Sequence, residues 1–76
     1  MINVNKKITC HLRHRRMEKH LTQKDLAQLS GINQAHLSRI ELGKVIPSLE
    51  LAFKLAATLE CKIEDIFTPE KEQFTP

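Results

Sequence analysis

"TQKDLAQLSGINQAHLSRIELGK", Thr22 to Lys44, is the stretch that decides the fold. Thr22 is placed to cap a helix, its hydroxyl accepting from a free amide of the next turn, and Asp25 three residues on completes an approximate capping box. This predicts a helix over Gln23–Ser30 with the apolar stripe Leu26, Leu29 and the small Ala27. Gly31 closes it at the position where a left-handed backbone is common. Asn33 can cap a further helix reaching about Leu42. At about 100° per residue, Leu37 and Ile40 define its buried side, with Ile32 closing the entry. Ala35, Ser38, Arg39 and Leu42 point the other way, and Gln34 and His36 flank the first turn. That outer face donates and accepts hydrogen bonds yet carries no acid, since Glu41 lies closer to the buried side.

A short glycine-containing turn lets the second of these helices cross the first steeply, and Ala27 allows the crossing to be close. Anchored from beneath by Leu37 and Ile40, the crossing helix projects its N-terminal residues outward, in a form a DNA major groove admits.

Working outward, 76 residues make one small domain with little scaffold for a catalytic cleft. Aromatic content of 4%, without Trp or Tyr, leaves Leu, Ile, Ala and Phe to build a core and favours packed helices. The net charge of +3 and pI near 9.1 lean toward anionic partners. Cys10 and Cys61 form no disulfide framework, and no apolar run has the length of a signal or membrane segment, which points to a reduced, cytoplasmic chain.

A first helix is expected over 6–19, with Ile8, Leu12 and Met17 inward and Arg13, His14, Arg15, Arg16 and Lys19 crowded on a basic outer face. After Val45, Ile46 and Pro47, Ser48 can cap a fourth helix, "LELAFKLAATLE", apolar nearly all round and so the central core element, Phe53 and Leu55 included. A short fifth, "IEDIF", brings Ile63, Ile66 and Phe67 to the core or to a partner subunit. The expected organisation is an N-terminal arm over 1–5, a domain over 6–68 and a tail over 69–76, within "TPEKEQFTP", where two prolines and mixed charge discourage a regular element.

The stretch "LTQKDLAQLSGINQAHLSRIELGKVIPSLELAFKLAATLECKIEDIF" resembles the lambda-repressor and Cro-like helix-turn-helix family, also called the XRE family, across most of the chain. The resemblance implies an all-α, five-helix domain whose helix-turn-helix is formed by helices two and three. It implies that Gln34, Ala35 and Arg39 read bases, with Ser38 beside them. The chemistry agrees: Gln can bond an adenine edge, Arg a guanine edge, and a methyl can meet thymine's. Gln23, at the start of helix two, contacts phosphate and braces the recognition helix, and Asn33, His36 and Lys44 touch the sugar-phosphate backbone. Arg16 and Glu41 match a pair joining helix one to helix three. "KVIPS" holds one cation where some relatives have several, so the backbone grip is expected either to be weaker or to move to Arg13 and Arg15. Glu60 stands where glycine is frequent, and Cys61 replaces a usual aliphatic.

The expected function is a sequence-specific, double-stranded DNA-binding regulator, a repressor, that occupies a two-fold operator as a homodimer. Helix five and its surroundings, Ile63, Ile66, Phe67 and Phe74, with the apolar start "MINV", are the expected dimer surface. Further protein partners to expect are RNA polymerase or, in the alternative reading, a toxin bound by an antitoxin-like module; no membrane partner is expected. Read alone, "RHRR" is as well a solvated helix face, and His36 divides evenly between phosphate contact and idle side chain. Cys10, His11 and His14 suggest a metal site only by spacing, and no metal or other cofactor is expected. No nucleophilic triad, phosphate-cradling glycine loop or paired catalytic carboxylates occur at meaningful spacing, so an enzyme is not expected.

Overall fold

The computed structural model describes residues 8–69, so the arm over 1–5, "MINV" and Phe74 lie outside the described residues. The element order is β1 (Ile8–Cys10), α1 (Leu12–Glu18), α2 (Gln23–Ser30), α3 (Gln34–Glu41), α4 (Leu49–Thr58), α5 (Ile63–Ile66) and β2 (Phe67–Pro69). The five expected helices are present, and a two-stranded sheet joins the two ends of the domain. Helix one therefore starts at Leu12 rather than near residue 6. The β-branched Ile8 and Thr9 pair antiparallel with the other end of the chain, in the register Ile8↔Pro69, Thr9↔Thr68 and Cys10↔Phe67. Thr68 and Pro69, expected at the start of an irregular tail, are part of this clasp. The amide of His11 continues it by donating to the Ile66 carbonyl at 2.6 Å.

Local chemistry sets most helix ends. The Thr22 hydroxyl accepts from the Asp25 amide at 3.0 Å while the Asp25 carboxylate accepts from the Thr22 amide at 2.9 Å. Those bonds hold the Asp25 carboxyl below its ordinary pKa. The Asn33 side-chain carbonyl accepts from Ala35 and His36, and the Ser48 hydroxyl from Leu51. At their C-termini α1 to α4 all close by one motif, in which an amide reaches back five residues to a carbonyl: Leu21 to Arg16, Ile32 to Ala27, Lys44 to Arg39 and Cys61 to Ala56. The motif needs a left-handed residue, supplied by Gly31 and Gly43 at φ 75°, by His20 at φ 57° and by Glu60 at φ 56°. Glu60 thus keeps the turn expected of a glycine, at a backbone cost of about 1–2 kcal/mol.

The core gathers Leu12, Leu26, Leu37, Ile40, Leu55, Leu59 and Ile66, all fully buried, with Ile32 and Ala56 against them. Four side chains expected inside are exposed: Ile8, Met17, Leu29 and Phe53. On α2 the inward face runs through Leu26 and Ser30, so Leu29 is turned out. Ser30 is buried without penalty because its hydroxyl donates to the Leu26 carbonyl at 2.7 Å. On α4 the core is reached by Ala52, Leu55, Ala56 and Leu59, which leaves Phe53 and Leu49 on the outer side.

Candidate nucleic-acid interface

Helix α3 lies across α2 with Leu37 and Ile40 sunk completely into the core. Its opposite face presents Gln34, Ala35 and Arg39 exposed and Ser38 half-exposed, as the angular reading expected. Among the described residues, the Gln34 and Arg39 side chains make no hydrogen bond or ion pair within the chain, so their donors and acceptors point to solvent.

The angle of α3 is set by a polar joint at its last turn. Arg16 Nε donates to Glu41 Oε2 at 2.7 Å and Nη2 donates to Oε1 at 3.2 Å, a bidentate pair between α1 and α3. Arg16 Nη1 also donates to the Leu21 carbonyl at 2.8 Å, and Gln23 Nε2 to Glu41 Oε1 at 3.2 Å. Glu41 is thereby neutralised beneath the surface, which keeps the outer face of α3 free of negative charge. The carboxylate raises the Arg16 pKa further, so the guanidinium stays charged. Gln23 thereby ties the start of α2 to the last turn of α3, and one amide N–H remains for a partner.

Around this joint Arg13, Arg16, Gln23, Ser38, Glu41 and Leu42 line a notch of about 350 Å³ between α1 and α3. Arg13 is thus brought beside the recognition helix. Arg15 is not: its Nε donates to the Asp65 carbonyl at 3.1 Å and its guanidinium pairs with Glu18 and Asp65. It sits some 200° around α1 from Arg13 and ties α1 to α5, apart from the notch that holds Arg13. Leu42, exposed at the rim of the notch, was not singled out as a contact. Asn33 keeps its amide N–H₂ outward while its oxygen caps α3. Lys44 is exposed just past Gly43, its amide held by the Arg39 carbonyl at 2.9 Å, and His36 is half-buried. Ile66 is fully buried in its own core and so cannot line a dimer surface, whereas Ile63 and Phe67 are half-exposed.

Cys10 stands on β1, not on a helix with His14, and no group of three or more His, Cys, Asp or Glu converges among the described residues. His11 Nε2 is instead 3.0 Å from the Thr68 hydroxyl. Burial pushes both thiols up in pKa. No helix among the described residues is long and apolar enough to cross a membrane.

A helix-turn-helix family model matches residues 12–66, from the first residue of α1 to the last of α5. The chain belongs to the XRE-type helix-turn-helix family. Over 62 residues, 82% of this chain and 94% of the relative, it is 45% identical to an uncharacterised HTH-type transcriptional regulator of Methanocaldococcus jannaschii. It is also similar to a solved structure, the restriction-modification controller protein C.AhdI from Aeromonas hydrophila, at 34% identity and a TM-score of 0.69 over 72% of this chain and 83% of that one. The clp gene regulator ClgR from C. glutamicum matches at 31% identity and a TM-score of 0.65, over 71% and 70% of the two chains. This helix-turn-helix protein is accordingly a transcriptional regulator with a lambda-repressor-like DNA-binding fold, and not an enzyme.

Proposed function

We propose that this regulator binds a two-fold symmetric operator as a homodimer, each copy laying α3 in the major groove, and that the bound dimer represses transcription by covering promoter DNA. Gln34, Ala35, Ser38 and Arg39 read base edges; Gln23, Asn33, His36, Lys44 and Arg13 hold phosphates. The observation that carries this reading is the exposed outer face of α3, free of acids and of internal partners among the described residues, backed by a core-anchored inner face and the Arg16–Glu41–Gln23 joint. A rigid backing lets hydrogen bonds to bases form without further ordering of the helix. One copy spans only a few base pairs, so useful specificity calls for two copies on half-sites about 34 Å apart. A cytoplasmic place follows from the proposed target.

The test is selection of randomised duplex DNA by the purified protein at near-physiological salt, followed by titration of the winner against scrambled sequence. An inverted repeat bound at least about 10³-fold more tightly supports the reading. Equal binding to all sequences rules out base reading by α3. Repression is then checked by transcription in vitro from a promoter that overlaps the selected site.

A further inference from the structure

Among the described residues, a cluster of exposed large apolar side chains lies not on helix five but on the outer side of α4. Leu49 is 69% exposed and Phe53 58%, Ile46 just before the helix is 70% exposed, and Ile8 beside them is 38%. Ala57, one turn beyond Phe53, is exposed too, so Leu49, Phe53 and Ala57 form a stripe at i, i+4, i+8. Taking roughly 200 Å² for a fully exposed residue of this size, the four large side chains present on the order of 470 Å². That is at the upper end of the patches a monomer normally leaves in water. It supplies more than half of the about 800 Å² per partner that a stable interface buries. Charged groups at its margin, Glu50, Lys54, Lys62 and Glu64, provide a polar rim.

The order of side chains in the stripe identifies the occupant. A two-fold interface must be complementary to itself, so that residue i of one copy meets j of the other and j meets i. Place a dyad at Phe53, perpendicular to α4, and the two α4 helices run antiparallel. Leu49 lies about 6 Å before Phe53 and Ala57 about 6 Å after it. Relative to Phe53 they sit about 40° to opposite sides of the helix. The dyad inverts both the axial and the lateral offset, so each Leu49 falls on the partner's Ala57: a large exposed residue over a small one, twice, about a central aromatic pair. Next to Ala57 an open groove of about 480 Å³ is lined by Phe53, Ala56, Cys61 and Ile63, among others. The same operation directs the partner's Ile46, which precedes its α4, toward that groove.

We propose that a second copy of this chain covers the α4 face, with Phe53 on the dyad and Leu49 of each copy seated on Ala57 of the other. The proposal deepens the dimeric reading above and moves its interface from helix five to α4, with Ile63 at the edge. Phe53 and Leu49 are exposed in the single chain, so polar replacements there leave the core intact.

Sedimentation equilibrium without DNA tests it. The full chain is expected at twice its own mass. Phe53→Glu and, separately, Leu49→Lys weaken self-association by at least about 30-fold, the effect of removing a hot-spot residue. Leu29→Glu, an equally exposed position on α2, leaves the dimer unchanged. In a Cys10→Ser, Cys61→Ser background, Phe53→Cys forms an intermolecular disulfide on mild oxidation, because only a residue on the dyad meets its own copy. A monomeric wild type at about 100 μM overturns the proposal, and so does a dimer that survives both α4 variants. If wild type is monomeric and Phe53→Glu lowers its melting temperature, residues of the same chain cover the face and the proposal fails. Titration of a single half-site separates the two readings: sequence preference retained by a monomer sinks the α4 interface and leaves base reading by α3 standing, whereas a dimer without sequence preference sinks base reading and leaves the α4 interface standing.

Discussion

The joint between α1 and α3 makes the sharpest energetic prediction. The side chains of Arg16 and Glu41 are 13% and 5% exposed, so both charges are largely out of water and depend on each other. Removing one partner of a buried pair costs about 3–5 kcal/mol, because the survivor is left desolvated. Glu41→Ala belongs at the lower end, about 3 kcal/mol, since Arg16 keeps the Leu21 carbonyl and some water. A domain of 76 residues has a total stability of about 4–11 kcal/mol, so this variant is close to unfolding. The expected fall in melting temperature is about 15 °C at fixed protein concentration, followed by circular dichroism. The double variant Arg16→Met, Glu41→Leu removes both charges and fills the space with apolar atoms, and it should recover most of that loss. Completed with the single variants Arg16→Met and Glu41→Leu, the cycle should show a coupling of about 2 kcal/mol or more. If Glu41→Ala costs less than about 1 kcal/mol, or the double variant is simply the sum of the singles, the joint does not hold α3 in place.

Glu60→Gly should raise stability by about 0.5–1 kcal/mol, because relief of the left-handed backbone exceeds the added chain entropy and the loss of an exposed contact with Lys19; urea titration reads this. Asp25 has a folded-state pKa below its ordinary value, so its stabilisation is complete above the unfolded-state value near 3.8 and is lost as pH falls through the folded value. Wild type should therefore exceed Asp25→Asn in melting temperature at pH 6, with the gap closing below pH 4; a gap that stays constant through the acid range contradicts the capping box. Arg39→Ala should cost about 1–3 kcal/mol of operator affinity and relax preference at one base pair, whereas Lys44→Ala should weaken all sequences alike and reduce the salt slope by about 1. Equal losses on specific and scrambled DNA for both variants would remove Arg39 from base reading.

The helix-turn-helix was legible because the signals that specify it are local. Thr22 with Asp25, Gly31 and Asn33 bond within their own turns, and the spacing of Leu37 and Ile40 needs only helical geometry to place Arg39 opposite. The Arg16–Glu41 pair was available only through the family resemblance, since 25 residues separate its members. Arg15 shows the limit: it has the same charge and helix as Arg13, and its binding to Asp65 depends on where α5 docks.

The sequence by itself determined which segments are helices, where α2, α3 and α4 start, and which face of α3 is polar, because capping, left-handed turns and periodicity act over a few residues. Tertiary structure alone decided which side of an ambiguous element is buried. Helix α4 is apolar nearly all round, so periodicity cannot say whether Leu55 or Phe53 meets the core; the packing of α2 and α5 against it does, and turns Phe53 outward. The clasp of Ile8–Cys10 with Phe67–Pro69 was hidden for the same reason, since a three-residue strand becomes favourable only when its partner, far along the chain, is brought alongside by the folded helices.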